Sequence, residues 1–247
     1  NLNLKKMNLV SKLDLKEFFP EIKNNIELSN HKLKINFEKN FLSLKGNGKI
    51  LIQKEPDLIK YDISKSKKDL KFNTVLSINK NAFIIKFLNF NKAKNSNLNL
   101  SFNGKKNLIS NEISFKNFII EEKNNIIEVQ NLFLSKDNKI KFIDKVNLDY
   151  LDKDLIKNKV SISRKNKLYN LNSTSFNATK LIDDLLKKDQ KFKTQNIFKN
   201  KFKLNIKANK TYLDKENLVN KLNGYLVFED NEIKDGNLDS FFSDNKK

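Results

Sequence analysis

The chain has 247 residues, no cysteine, one histidine and a formal charge of +20. That length supports one large β domain or two ordinary ones without disulfides or metals, and the lack of cysteine excludes thiolate metal sites. The charge does not imply specific nucleic-acid binding: only Arg164 among the 49 basic residues is an arginine, and bidentate reading of bases and phosphates relies on that side chain. Apolar residues make up 38% and are spread evenly along the chain, so it is read as folded.

In chain order, residues 14–19 spell a short helix, with Asp14 as N-cap, Glu17 at the capping-box position and Pro20 as its stop. Period-two alternation follows, the mark of strands with one dry face. Leu33, Ile35 and Phe37 alternate with lysine and asparagine, then Leu70, Phe72, Leu76 and Ile78, then Leu98, Leu100 and Phe102. Ile113 and Phe115, Ile127 and Val129, Ile140 and Phe142, and Val146 and Leu148 continue the pattern. Gly46-Asn47-Gly48, Asn103-Gly104, Asp137-Asn138 and Asp235-Gly236-Asn237 read as the turns between strands. Residues 179–188 carry Leu181, Ile182, Leu185 and Leu186 at helical spacing, and the lysine-rich stretch 187–200 reads as a linker. Phe202, Leu204, Ile206 and Ala208 resume the alternation, followed by Leu226 and Phe228. The expected fold is mainly β: an elongated, curled antiparallel sheet with a groove-like apolar face and one or two short amphipathic helices. Residues 1–174 form its meander, 175–190 the helix, and 191–247 further strands of the same sheet.

Nothing in this pattern assembles a catalytic site. His31 lies beside Lys32 and Lys34 with no carboxylate close in sequence, so it is read as an ordinary polar position rather than part of a triad or metal site. Glu121-Glu122 and Asp183-Asp184 are adjacent pairs whose side chains diverge, and they read as a solvated edge and a solvated helix face. Gly46-Asn47-Gly48 opens no helix and makes no phosphate cradle. No enzyme activity, metal or cofactor is expected. Phenylalanine interleaved with lysine could stack bases, but most of the 20 phenylalanines fall on the alternating apolar face, where they serve as core or as the wall of a channel.

One stretch resembles a known family. Ser175-Phe176-Asn177-Ala178-Thr179-Lys180-Leu181-Ile182-Asp183-Asp184-Leu185-Leu186, a small amphipathic helix after a long meander, is similar to a recurring element of AsmA-like envelope proteins, including the large YhdP-type and TamB-type members. Leu222-Asn223-Gly224-Tyr225-Leu226-Val227-Phe228 and Gly46-Asn47-Gly48-Lys49-Ile50-Leu51-Ile52 resemble its Gly-containing strands. Asn177 stands where many members have Asp. The resemblance implies a periplasmic segment of an inner-membrane-anchored protein, with the membrane reached through segments outside this chain. It implies an open sheet that shelters phospholipid acyl chains between the inner and outer membranes. The expected wall is Phe72, Leu76, Ile78, Leu98, Leu100, Phe102, Leu204, Ile206, Leu226 and Phe228. The same alternation also fits a closed core, and the alternative function is a structural or adhesive extracytoplasmic β domain that binds a protein partner.

Overall fold

A computed structural model describes residues 2–10, 15–23, 25–180, 182, 201–214, 216–229 and 232–242. The protein is mainly β, as the alternation requires: fourteen strands belong to one large mixed sheet that is not closed into a barrel, and two more form a small ribbon. Packing divides the chain into two compact units, residues 1–86 with 90–125, and 87–89 with 126–247.

In the first unit the sheet strands are β1 (Leu2–Val10), β2 (Asn25–Glu38), β3 (Phe41–Leu51), β4 (Asp57–Lys65), β5 (Asp69–Ile78), β8 (Leu98–Asn107) and β9 (Ile113–Glu122). Each pairs antiparallel with the next. Between β5 and β8 the chain leaves the sheet to form the ribbon, β6 (Phe83–Ile85) against β7 (Phe90–Lys92), joined by a 3-10 turn at Lys86–Leu88.

The second unit runs through β10 (Asn125–Leu134), β11 (Ile140–Leu151), β12 (Lys157–Lys165), β13 (Leu168–Asn177), β14 (Phe202–Tyr212), β15 (Leu218–Glu229) and β16 (Glu232–Phe242). Here the structure departs from the antiparallel expectation at one step. β13 and β14 run parallel, Tyr169 opposite Leu204 and Leu171 opposite Ile206. A parallel step needs a long connection where an antiparallel one needs only a hairpin, and residues 178–201 supply it. The expected helix opens within that connection, where Ile182 N donates to Ala178 O (2.9 Å). The rest of the expected helix, including Asp183-Asp184, and the stretch to residue 200 lie outside the described residues.

The amino-terminal helix is reduced to a single turn, Phe18 N and Phe19 N both donating to Leu15 O (3.0 and 2.9 Å). Its proposed cap, Asp14, lies outside the described residues.

The turns are built differently from the expectation. Asp137-Asn138 is a turn, with Asn138 at φ 59°. Gly46-Asn47-Gly48, Asn103-Gly104 and Asp235-Gly236-Asn237 instead lie inside β3, β8 and β16. Asparagine takes most of the left-handed positions, among them Asn40, Asn95, Asn111, Asn138 and Asn166, because its short polar side chain tolerates positive φ better than other non-glycine residues. That leaves the glycines for places where a side chain would collide.

Candidate functional site

Directly opposed residues of paired strands point to the same side of a sheet, so the register of the first unit defines its apolar face row by row. One row is Gly48, Ile59, Leu76, Leu100 and Ile120; the next is Leu33, Gly46, Tyr61, Thr74, Phe102 and Phe118; the third is Ile35, Leu44, Ile63, Phe72, Gly104 and Phe115. The opposite side carries Lys34, Lys45, Asp62, Asn73, Asn103 and Asn117 in the corresponding positions.

Burial along this face is uneven. Ile78 and Leu98, the residues that flank the ribbon, are fully buried, and Leu76, Leu100 and Ile120 are nearly so. Phe19, Phe83, Ile85 and Phe90 are buried with them, and the Phe83 ring packs edge-on to Phe19 (5.4 Å between centroids) and stacks on Phe18 (6.1 Å). The ribbon and the 15–23 turn therefore plug one end of the face. Ile84 N donates to Phe18 O (3.0 Å) and Lys23 N to Ile52 O (2.9 Å).

Beneath the plug lies a polar knot. Lys92, with no exposed surface, donates to the carbonyls of Asn79 (3.1 Å) and Asn81 (2.5 Å). Asn81 Nδ2 donates to Asp57 Oδ2 and to Glu55 O (both 2.6 Å). Burial holds the Lys92 ammonium below the usual lysine range, opposed by the charges of Asp57 and Glu122. Glu122 is buried, not solvated as its sequence suggests, and accepts from Ser96 Oγ (3.0 Å) and Asn125 Nδ2 (2.9 Å).

Away from the plug the face is half-buried. Phe72 contacts Phe102 and Phe115 (6.0 and 5.5 Å between centroids), and Phe102 reaches Phe118 (6.4 Å), giving a four-ring cluster across β5, β8 and β9. Among the described residues the only other sheet is the two-stranded ribbon.

The structure thus splits the expected wall. Phe72 and Phe102 lie on the half-buried stretch, whereas Leu76, Ile78, Leu98 and Leu100 belong to the plugged core. Phe115 and Phe118 complete the cluster, and neither was in the expected set. They share a face although three residues apart, because β9 carries an extra residue opposite the Asn103/Gly104 step. A bulge of this kind reverses the alternation beyond it.

In the second unit, Leu204 opposes Leu226, Phe202 opposes Phe228, and Ile206 opposes Gly224, all half-buried. Phe202 stacks on Phe228 (4.9 Å) and meets Tyr169 edge-on (5.2 Å). Arg164 has a local role: its guanidinium lies 3.8 Å over the Phe142 ring and donates to Asp144 Oδ1 from Nε and Nη2 (3.0 and 2.8 Å).

Compared with known proteins, the chain matches no family model, no curated protein and no solved structure.

His31, read as an ordinary polar position, is buried. Its Nε2 donates to Lys49 O (2.9 Å), which leaves Nδ1 to accept from the Tyr61 hydroxyl (3.1 Å). Burial raises the Tyr61 phenol above its ordinary pKa, so it stays protonated as a donor. Both ring nitrogens are thereby occupied in holding β2 to β3 and β4. Among the described residues no group of three or more His, Cys, Asp or Glu could hold a metal, and no helix is long and apolar enough to cross a membrane. A hollow of about 800 Å³ in the first unit is lined mainly from the polar side, by Lys34, Lys45, Lys60, Asp62, Asn73 and Val75, with Leu33, Gly46 and Tyr61 of the middle row also at its wall.

Proposed function

We propose that the chain is a non-enzymatic, lipid-handling segment that shelters phospholipid acyl chains along the apolar face of its sheet. The observation that carries this reading is the half-buried four-ring cluster of Phe72, Phe102, Phe115 and Phe118, with the aliphatic rows of β2 to β4 beside it. Water against such a surface is costly, and an acyl chain carries the same cost at ~0.8 kcal/mol per methylene, about 12 kcal/mol for a tail of roughly sixteen carbons. Laying one against the other removes both. The row from Ile35 through Leu44, Ile63, Phe72 and Gly104 to Phe115 carries no polar side chain, so no position along it grips a tail much more tightly than its neighbours, which suits sliding. A periplasmic place in an inner-membrane-anchored protein of AsmA-like type is part of the same proposal and rests on the sequence resemblance alone.

The test is native mass spectrometry of the gently purified chain, with uptake of a fluorescent phospholipid as the second readout. Bound phospholipid in the wild type, lost in Phe118→Glu and in Leu204→Glu with circular dichroism unchanged, supports the reading. A lipid-free mass and no uptake by the wild type reject it. The alternative, a structural or adhesive domain that binds a protein partner, is favoured by β16, which is exposed along its whole length and carries Phe241 and Phe242 at 67% and 73% exposure. Pairing at a strand edge is the mode such a strand supports.

A further inference from the structure

The end of the first unit's apolar face remote from the plug ends in turns of unusual composition. In an antiparallel meander successive connections alternate between the two ends of the sheet. The 39–40 turn between β2 and β3, the 66–68 connection between β4 and β5, and the 108–112 connection between β8 and β9 therefore share one end, and the ribbon occupies the other. The last two turns touch, Leu108 N donating to Lys68 O (2.7 Å).

Three exposed apolar residues stand at this end: Phe37 near the end of β2 at 79%, Ile109 in the 108–112 connection at 72%, and Phe41 at the start of β3 at 42% exposure. Lysines lie between them. The terminal row of the apolar face reads Phe37, Leu42, Lys65, Leu70, Lys106 and Ile113 across six strands. Two cations thus share a face with the hydrophobic rows that lead to it. Lys39, Lys67 and Lys68 add positive charge at the tips, and over residues 37–42, 65–70 and 106–112 the five lysines outnumber the three carboxylates, Glu38, Asp69 and Glu112.

We propose that this rim docks on the surface of a bilayer containing anionic phospholipid. Phenylalanine and isoleucine at the tips enter the headgroup–acyl boundary, where their hydration cost is relieved. The lysines keep their ammonium groups at phosphate level on flexible stems, attracted by the negative surface potential. The apolar side chains protrude from two separate places, the β2–β3 hairpin and the 108–112 connection, with lysines between them. A fluid interface accommodates such protrusions, whereas a protein partner would require a contiguous complementary patch. The location rests on the lipid-sheltering reading, since docking here brings the open end of the apolar face to the membrane, but the binding itself is measured separately.

The test is co-sedimentation of the full chain with phosphatidylglycerol–phosphatidylcholine vesicles and with phosphatidylcholine vesicles, at low and high salt. The wild type is expected to bind the anionic vesicles, more weakly as salt rises. The Phe37→Ser/Ile109→Ser double variant should lose about tenfold in partitioning with its melting transition unchanged, because both side chains are already solvated. Lys67→Glu/Lys68→Glu should reduce binding to the level seen on neutral vesicles. No sedimentation of the wild type, or wild-type binding by the Phe37→Ser/Ile109→Ser variant, overturns the proposal. Uptake of detergent-dispersed lipid by that variant separates the two readings: normal uptake with lost vesicle binding supports the docking rim. A wild type that sediments with vesicles yet takes up no lipid also supports it, and rejects only the sheltering face.

Discussion

Gly48 shows at the level of one residue why the short glycine motif is not a turn. A Cβ there would lie 2.6 Å from His31 Cγ, and a Cβ at Gly46 would lie 2.5 Å from the Tyr61 hydroxyl oxygen. The two glycines form a slot in β3 into which the hydrogen-bonded His31–Tyr61 pair fits. Gly48→Ala is expected to destabilise the first unit by about 2 kcal/mol, the usual cost of overfilling a packed site, read as a lowered midpoint in urea. His31→Ala should recover part of that loss, so the double variant costs less than the two single substitutions added together. Additive losses would show that the slot does not exist for the imidazole. The motif was visible in the sequence, but its partner was not. His31 faces Gly48 because Asn30, at φ 54°, introduces a bulge in β2 between Ser29 and Lys32.

At the scale of an element, the end of β13 shows why position 177 carries an asparagine. Asp152 is buried in the β11–β12 connection and accepts backbone N–H groups from Asp154 and Ile156 at Oδ1 (both 2.9 Å). Its other oxygen accepts from Asn158 Nδ2 (3.3 Å) and Asn177 Nδ2 (2.7 Å). Asn177 Oδ1 in turn accepts from Thr179 N (3.1 Å), where the helical turn opens. An aspartate at position 177 would keep the capping oxygen, lose the donor, and set a second negative charge against Asp152. Asn177→Asp is therefore expected to cost about 2 kcal/mol at neutral pH. The loss should shrink under acid conditions, where the carboxyl introduced at position 177 takes up a proton and its charge is removed. Asn177→Ala removes the donor without adding charge and should lack this pH dependence. Urea unfolding of the three proteins at neutral and acidic pH checks it; equal loss at both pH values in Asn177→Asp would remove the like-charge account.

For the whole molecule, the governing fact is that the extensive strand–strand contacts run between sheet neighbours. Stability in such an arrangement is close to a sum of local terms, as in repeat architectures. Leu100 is 8% exposed within the plugged core, and a glutamate there would be buried without a partner, a loss of several kcal/mol. Leu100→Glu is expected to accelerate amide hydrogen exchange throughout β5, β8 and β9, while residues 157–175 keep their wild-type protection. Loss of protection across both units would show a single cooperative structure instead. Phe118→Glu, on the half-buried stretch of the same face, should leave exchange near wild type.

The strands, and the dry side of each, could be read from alternation alone, because the side-chain period of two is local and survives without knowledge of the partner strand. The buried identities of Leu76, Ile78, Leu98 and Leu100 against the half-exposed Phe72 and Phe102 could not, since all six obey the same pattern and differ only in whether the ribbon lies over them. Phe118 was hidden for a related reason: a bulge opposite Gly104 changes which side the later residues face, and bulges are set by the strand alongside. The parallel β13–β14 step and the His31–Tyr61 pairing depend likewise on which segments meet. Local periodicity is written along one strand, whereas register, cover and crossover are properties of two or more, and they arise only when the chain has folded.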